Sequence, residues 1–403
     1  MQVTIMGLGY IGLPTAALIA GKGIHVHGVD VNKKVVDTIN QGRIHIIEPD
    51  LEGLVHYAVL KKFLVASTKV KAADVFLIAV PTPLRKNRTP DLSYVEKATK
   101  AVIPHLKAGN LFIIESTSPV GTTEKMSRII FRERPELKNK ISIAYCPERV
   151  LPGSVIYELQ QNDRVIGGID ESGTKAAAEF YSKFVRGQLH LTNSRTAEMC
   201  KLVENAYRDV NIAFANELSI ICDKAGIDVN ELAELASKHP RVKILRPGPG
   251  VGGHCIAVDP YFIVDSFPSE ANIIRLARET NNYKVEWVMG KIEESVKKFR
   301  KSKGKEPLIA CMGLAYKPDI DDLRESPSLE IFRRLEKSKY KVIAVEPNVR
   351  KHPDLEITDT LRAVREADII VFLVSHREFS TVSPGMDKTV LDFCGITYSN
   401  KNS

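Results

Sequence analysis

The chain has 403 residues, 44% of them hydrophobic and 26% charged, the composition of a folded protein with two or three separate cores. The longest apolar runs, such as Asp368–Ser375, are strand-length and argue against a membrane span, and no signal-peptide pattern precedes the first strand, so a cytoplasmic protein is expected. Cysteines at 146, 200, 222, 255, 311 and 394 show no CxxC spacing, which argues against a disulfide framework or a cysteine zinc site; no metal is expected.

The net charge of +8 suits an anionic partner. The densest basic group, Lys297, Lys298, Lys301, Lys303 and Lys305, reads as a helix end and linker rather than a nucleic-acid patch. A small anionic substrate accounts for the excess equally well.

In chain order, a short apolar strand from Val3 runs into Gly7-Leu-Gly9-Tyr-Ile-Gly12, followed by helical composition over Leu13 to Ala20 and a second strand, His25 to Val29, ending at Asp30. Strand, glycine turn, helix, strand and acid in that order make a dinucleotide-binding fingerprint, with pyrophosphate on the helix N-terminus and Asp30 on the adenosine ribose. An acid at this position repels a 2′-phosphate, so NAD is favoured over NADP. Further buried parallel strands, Ala73–Val80, Leu111–Glu115 and Ile141–Tyr145, each lead into polar loops. Thr82, Thr117, Glu148 and Arg149 stand at those strand ends, where ligands of open α/β sheets lie.

From Thr196 to Ala225 the apolar period becomes helical, with Ser194 a possible cap and Gly226 the stop. Glu198, Lys201, Asn205 and Arg208 share another face of this helix and, on spacing alone, read as a solvated face. More helix follows over Glu231 to Lys238 and Ala271 to Lys303, and Lys301–Pro307 reads as a linker. A second α/β unit then begins, with strands at Leu308–Met312, Val342–Glu346 and Asp368–Val374 and a helix at Ser326–Lys337. Its first turn, from Gly313, lacks GxGxxG, which argues against a second dinucleotide site.

Between the helical stretches lies Leu245-Arg-Pro-Gly-Pro-Gly-Val-Gly-Gly-His-Cys-Ile-Ala-Val-Asp-Pro-Tyr261, too rich in glycine for regular structure. It presents Cys255 with Asp259 four residues on. Alone, this cysteine reads as a buried structural thiol at least as readily as a nucleophile.

Taken together, Gly7–Gly12, Glu115-Ser-Thr-Ser-Pro-Val-Gly121, Cys146-Pro-Glu148, Lys201-x-x-x-Asn205, Gly252-Gly-His-Cys255 and Arg324-Glu-Ser326 resemble the UDP-glucose/GDP-mannose dehydrogenase family over essentially the whole chain. Pro152, where the UDP-glucose branch tends to have a second glutamate, and His254, where it commonly has serine, agree with an N-acetylated sugar. Cys146–Gly153, Arg208–Glu217 and His239-Pro-Arg-Val with the following Pro-Gly-Pro-Gly-Val-Gly-Gly-His-Cys resemble more closely the branch acting on UDP-N-acetyl-D-mannosamine. The resemblance implies an α/β fold of two Rossmann-like doubly wound domains joined by a long central helix and a helical middle region. The boundaries expected are an NAD-binding domain over 1–193, a central helical domain over 194–303 and a UDP-sugar-binding domain over 304–403.

It further implies a four-electron oxidation of the C6 alcohol by two NAD+, through a thiohemiacetal and a thioester on Cys255. Lys201 would act as acid/base and as partner of the C6 oxygen, Asn205 would position that oxygen or a water, and Asp259 and Glu148 would serve the hydrolytic water. Gly7, Gly9, Tyr10, Ile11, Gly12, Asp30, Thr82, Thr117 and Arg324 would hold NAD. Arg149, Val150, Lys201, Asn205, Arg208, His239, Arg241, Gly252, Tyr316 and Lys317 would cradle the substrate. A homodimer or homotetramer is expected, with no nucleic-acid or membrane partner. The rival readings are the same chemistry on UDP-glucose, UDP-N-acetylglucosamine or GDP-mannose, a one-step hydroxyacid dehydrogenase, and a non-catalytic NAD-binding protein.

Overall fold

The computed structural model describes residues 1–151 and 153–398; Pro152 lies outside the described residues. Its contacts divide into two compact units, Met1–Glu204 with Tyr261–Phe267, and Asn205–Pro260 with Pro268–Ser403.

The first unit is built on a sheet of strands β1 (Gln2–Met6), β2 (His25–Val29), β3 (Leu64–Ser67), β4 (Val75–Ile78), β5 (Leu111–Ile114), β6 (Ser142–Tyr145), β7 (Arg164–Gly168) and β8 (Leu189–Asn193). Their order is β3-β2-β1-β4-β5-β6-β7-β8. Every neighbouring pair is parallel except β6 and β7. Both faces are covered, which explains the unbroken apolar runs. Leu77 and Ile113 pack on one side with Val3, Ile5, Leu13 and Ile19. Phe76, Ile78, Phe112 and Ile114 pack on the other with Met126 and Ile130. Strand order reverses between β1 and β4, so a crevice opens beyond their carboxyl ends.

The second unit carries a parallel sheet of β9 (Leu308–Met312), β10 (Lys341–Val345), β11 (Ile369–Phe372) and β12 (Thr389–Asp392), ordered β10-β9-β11-β12. Two helices of 32 residues, Ser194–Ala225 and Asn272–Lys303, each run about 48 Å. The first begins in the first unit and ends in the second, so the expected long connecting helix between two α/β sheets is present. Asn193, not Ser194, caps it: the Asn193 Oδ1 accepts the Thr196 N–H at 2.9 Å. Strands β3, β7, β8 and β12 are short segments that the sequence pattern left unassigned.

Within the second unit buried polar groups join the two long helices. Arg278 donates to Asp209 at 2.6 Å, and the two side chains are 4% and 0% exposed. The Asn281 amide donates to the same carboxylate at 2.8 Å and to the Asp209 carbonyl at 3.1 Å. Removing one partner of such a pair leaves a buried charge uncompensated. Arg278→Met is therefore expected to lower the unfolding free energy by about 3–5 kcal/mol, read from urea unfolding followed by circular dichroism. A loss below about 1 kcal/mol would show that Asp209 does not need its cation.

Candidate active site

The glycine turn after β1 is shaped by close approach. Gly7 has φ 95°, and a Cβ there would lie 2.6 Å from the Ala79 carbonyl oxygen. A Cβ on Gly12 would fall on the Gly7 carbonyl oxygen, so helix and strand pack as only glycine permits. No side chain caps the helix Gly12–Gly21 and no acid stands in its first turn, which leaves its positive end suited to a pyrophosphate. Asp30 follows β2 and accepts the Leu8 N–H at 3.0 Å and the Asn32 N–H at 2.8 Å, which orients its carboxylate beside the turn. Tyr10 is exposed and Ile11 half-buried in the turn itself. These residues fit NAD.

The second α/β sheet repeats the same turn with a different outcome. Gly313, at φ 89°, donates to the Val345 carbonyl at 2.8 Å, as Gly7 donates to Val29 at 2.8 Å. Glu346 takes the place of Asp30 and accepts the Leu314 and Ala315 N–H groups at 2.7 and 2.8 Å. Yet Glu346 is 1% exposed, and the buried His376 closes on it at 3.1 Å. The acid is thus committed inside the protein.

At the ends of β4 and β5, Thr82 and Thr117 are half-buried, and Ser116 ties the strand ends together by donating to the Val80 carbonyl at 2.7 Å. Behind β6 lies a buried polar cluster. Tyr181 donates to Glu115 at 2.6 Å, and Arg164, 2% exposed, donates to the Leu159 carbonyl at 3.3 Å and lies within 3.5 Å of the Pro147 carbonyl. Glu148 follows this anchored turn and accepts the Val150 N–H. Burial pushes Glu148 up to about 7, while the cations Lys201 and Arg164 pull the other way. Arg149 pairs with Glu204 at 2.8 Å.

On the long helix the reading of a solvated face is corrected. Glu198 is 0% exposed and caps the helix Thr122–Glu133, accepting from the N–H groups of Gly121 and Thr123 at 2.6 and 2.8 Å. Lys201 is 8% exposed, Asn205 half-buried and Arg208 exposed. Lys201 and Asn205 are one helical turn apart and share a face.

Of the six cysteines, Cys255 is the exposed one. Burial pushes Cys146 and Cys311 up to about 12 and also raises Cys222 and Cys394, which removes them as nucleophiles at neutral pH. The loop bearing Cys255 is irregular but held at several points. The Gly248 N–H donates to Asn216 Oδ1 at 2.9 Å, and the Asn216 amide donates to Asn281 at 2.9 Å. A Cβ on Gly252 would stand 2.5 Å from the Glu325 carbonyl oxygen and 2.8 Å from Tyr316 Cβ. Gly253, at φ 83°, lies against the Tyr316 ring.

Beyond the cysteine, its carbonyl accepts the Asp259 N–H at 2.8 Å, starting the helix Asp259–Ser266. Asp259 is 3% exposed and accepts the Asn205 amide at 2.6 Å. Cys255, Asp259 and Asn205 are thereby joined through two hydrogen bonds, with Tyr316 packed against the glycines before them. Lys317 lies beside Tyr316, 6.0 Å from its ring centre. Arg324 grips Asp322 through its Nε and Nη2, the shortest contact being 2.7 Å. His239 and Arg241 are exposed.

The sequence reading missed Asn216, Asn281, Asp209 and Arg278. Asn216 stands seven residues after Asp209 and Asn281 three after Arg278, spacings that look the same on a wet helix face as on a buried polar seam.

Family models now meet this geometry in chain order. Residues 1–185 match the NAD binding domain of the UDP-glucose/GDP-mannose dehydrogenase family, 195–283 its central domain and 310–397 its UDP binding domain. The chain belongs to this family. It is an NAD-dependent nucleotide-sugar dehydrogenase with a UDP-sugar as substrate. It is 52% identical to an NDP-N-acetyl-D-galactosaminuronic acid dehydrogenase of Ralstonia nicotianae, covering 98% of this chain and 96% of the relative. It is 51% identical to a UDP-N-acetyl-D-mannosamine dehydrogenase of Campylobacter jejuni, covering 98% and 99%. The solved UDP-D-ManNAc dehydrogenase of Pyrococcus horikoshii superposes with a TM-score of 0.88 at 40% identity, covering 98% of this chain and 96% of that one. No helix among the described residues is long and apolar enough to cross a membrane.

The raised Glu148 has a consequence for stability. Its carboxyl holds a proton up to about pH 7 in the folded protein but loses it near the ordinary glutamate value when unfolded, so the unfolded chain binds fewer protons between those limits. Stability contributed by this group falls as pH rises through that window. Glu148→Gln should flatten that part of the pH dependence and unfold at a higher temperature than wild type above pH 7, as calorimetric scans from pH 5 to 8 would show.

Proposed function

We propose that the chain oxidises UDP-N-acetyl-D-mannosamine at C6 to the uronate, using two NAD+ per sugar. The observation that carries this reading is Cys255, an exposed thiol in a loop of close-packed glycines, followed by the buried Asp259 and its half-buried partner Asn205. A single alcohol oxidation needs no nucleophilic thiol, whereas passage from aldehyde to acid needs a tetrahedral centre. Addition of the Cys255 thiolate to the C6 aldehyde forms a C–S bond, and the carbonyl oxygen takes a proton to give a thiohemiacetal. Its oxidation leaves a thioester, and water then cleaves the C–S bond, releasing the carboxylate and the thiol. Bound NAD+ supplies the hydride acceptor for both oxidations.

Lys201, as a cation, favours alkoxide charge on the C6 oxygen, and Asn205 positions that oxygen or the water. Asp259 and Glu148 orient or deprotonate the hydrolytic water, the near-neutral Glu148 being poised for proton transfer. NAD is held by Gly7, Gly9, Tyr10, Ile11, Gly12, Asp30, Thr82, Thr117 and Arg324. Arg149, Val150, Arg208, His239, Arg241, Gly252, Tyr316 and Lys317 cradle the UDP-sugar, the arginines suiting its pyrophosphate. The choice of sugar is supported by the Campylobacter relative and the Pyrococcus structure; the Ralstonia relative, named for a galactosaminuronic acid, makes the N-acetylgalactosamine nucleotide, which differs at C2 and C4, the rival.

With limiting UDP-N-acetyl-D-mannosamine, wild type should form two NADH per sugar, and Cys255→Ser should be unable to complete the second oxidation. One NADH with free aldehyde would overturn the four-electron reading. A turnover number tenfold higher on UDP-N-acetyl-D-galactosamine would move the assignment to that sugar.

The same reading includes self-association through the long connecting helix, within a cytoplasmic homodimer or homotetramer. Tyr207, Phe214 and Ile221 recur at seven-residue intervals and are 72%, 55% and 53% exposed, an apolar stripe of the kind that a second copy covers. Phe214→Glu is expected to shift the species seen by light scattering to monomer, with wild type at twice or four times that mass. Equal masses for both proteins would exclude this helix as the interface.

A further inference from the structure

The second unit holds a cavity of about 360 Å³ that shares no residue with the NAD turn, the Cys255 loop from Gly248 onward or the UDP-sugar cradle. Its walls come from the end of the helix Ser194–Ala225, the middle of the helix Asn272–Lys303, the start of the helix Val229–Ala236, and β12 with the segment after it. Its volume is at the lower end of small-molecule sites.

Charge distribution in this cavity is uneven. Asp223 is paired with Lys291 at 2.5 Å. Asp228 accepts two backbone N–H groups at the start of its helix. Asp392 accepts three backbone N–H groups and the Thr397 hydroxyl. Each acid is thus compensated. Lys284 is not: it is 1% exposed, donates to Ser219 Oγ at 2.6 Å and stands 3.6 Å from the Trp287 ring centre, with no ion pair among the described residues. Burial accordingly lowers it to about 7, against the weaker opposing pull of Asp223. An ammonium has three donors, and a ring face and one hydroxyl do not supply the negative charge it lacks. On the same wall, the buried Asn230 Oδ1 accepts no hydrogen bond among the described residues.

We propose that this cavity binds a small hydroxylated anion, whose carboxylate or phosphate oxygen meets Lys284 and whose hydroxyl donates to Asn230. A sugar acid and a sugar phosphate share that chemistry. The site also sits close to the catalytic loop in bonding terms. Ser219 donates to the Asn216 carbonyl at 2.6 Å, and the Asn216 side chain holds Gly248.

Trp287 is the sole tryptophan of the chain, so its emission reports on this cavity alone. The test is titration of the full-length protein with glucuronate, glucose 6-phosphate and glucose, followed by Trp287 fluorescence and by calorimetry. A saturable signal is expected with at least one acid, and the responding acid identifies the group recognised. Glucose at tenfold higher concentration should give none. By calorimetry, Lys284→Met should weaken binding at least tenfold and Asn230→Leu severalfold, whereas Lys317→Ala in the proposed UDP-sugar cradle should leave it unchanged. Lys284→Met places an apolar chain of similar length in a buried position and is expected to fold. Silence with both acids, an equal response to glucose, retained binding in Lys284→Met, or its loss in Lys317→Ala would each overturn the assignment.

Discussion

A buried seam of side chains underlies the loop that carries Cys255. Arg278 neutralises Asp209, Asn281 bonds to the same carboxylate, and Asn216 bonds to Asn281 and accepts the Gly248 N–H. The segment from Pro247 to Gly253 contains four glycines and no regular structure. Left to itself, the glycine-rich part of such a chain has high backbone entropy. A side chain carried on it would have no defined position. The seam removes that freedom at one end, and the packing of Gly252 and Gly253 on Tyr316 removes it at the other.

The same division between freedom and constraint explains why glycine is used there at all. A Cβ at Gly252 would collide with backbone of the Glu325 turn, and Gly253 requires a left-handed φ. The loop is therefore dense with glycine because it is tightly packed, not because it must move. The turn after β1 follows the same logic: Gly7 and Gly12 let strand and helix approach until no side chain fits between them. In both places close backbone packing creates a surface on which a ligand can meet N–H groups directly.

The two α/β sheets show how one local device serves different ends. Each has a positive-φ glycine after its first strand and an acid after the next, hydrogen-bonded to the turn. In the first, Asp30 remains partly accessible beside an uncapped helix start. In the second, His376 buries Glu346, and the device becomes internal structure. The two turns thus differ in the exposure of their acid.

Much of this was legible in the amino-acid sequence, because it depends on short-range constraints. The strand–glycine–helix–strand–acid order around Gly7 to Asp30, the long helix from near Thr196 to Gly226 and the irregular loop before Cys255 are all set by periodicity and backbone sterics within some thirty residues. Family membership was legible too, since its motifs are local strings. Tertiary structure decided what sequence spacing leaves degenerate. Glu198 and Lys201 looked solvated because a helix face shows only a period, not which neighbour covers it. Asp209, Asn216, Arg278 and Asn281 form a seam across some seventy residues of chain, and Lys284 meets Ser219 over 65. Burial, and with it the exposure of Cys255 among six cysteines and the near-neutral ionisation of Glu148, arises only when distant segments exclude water from the same volume.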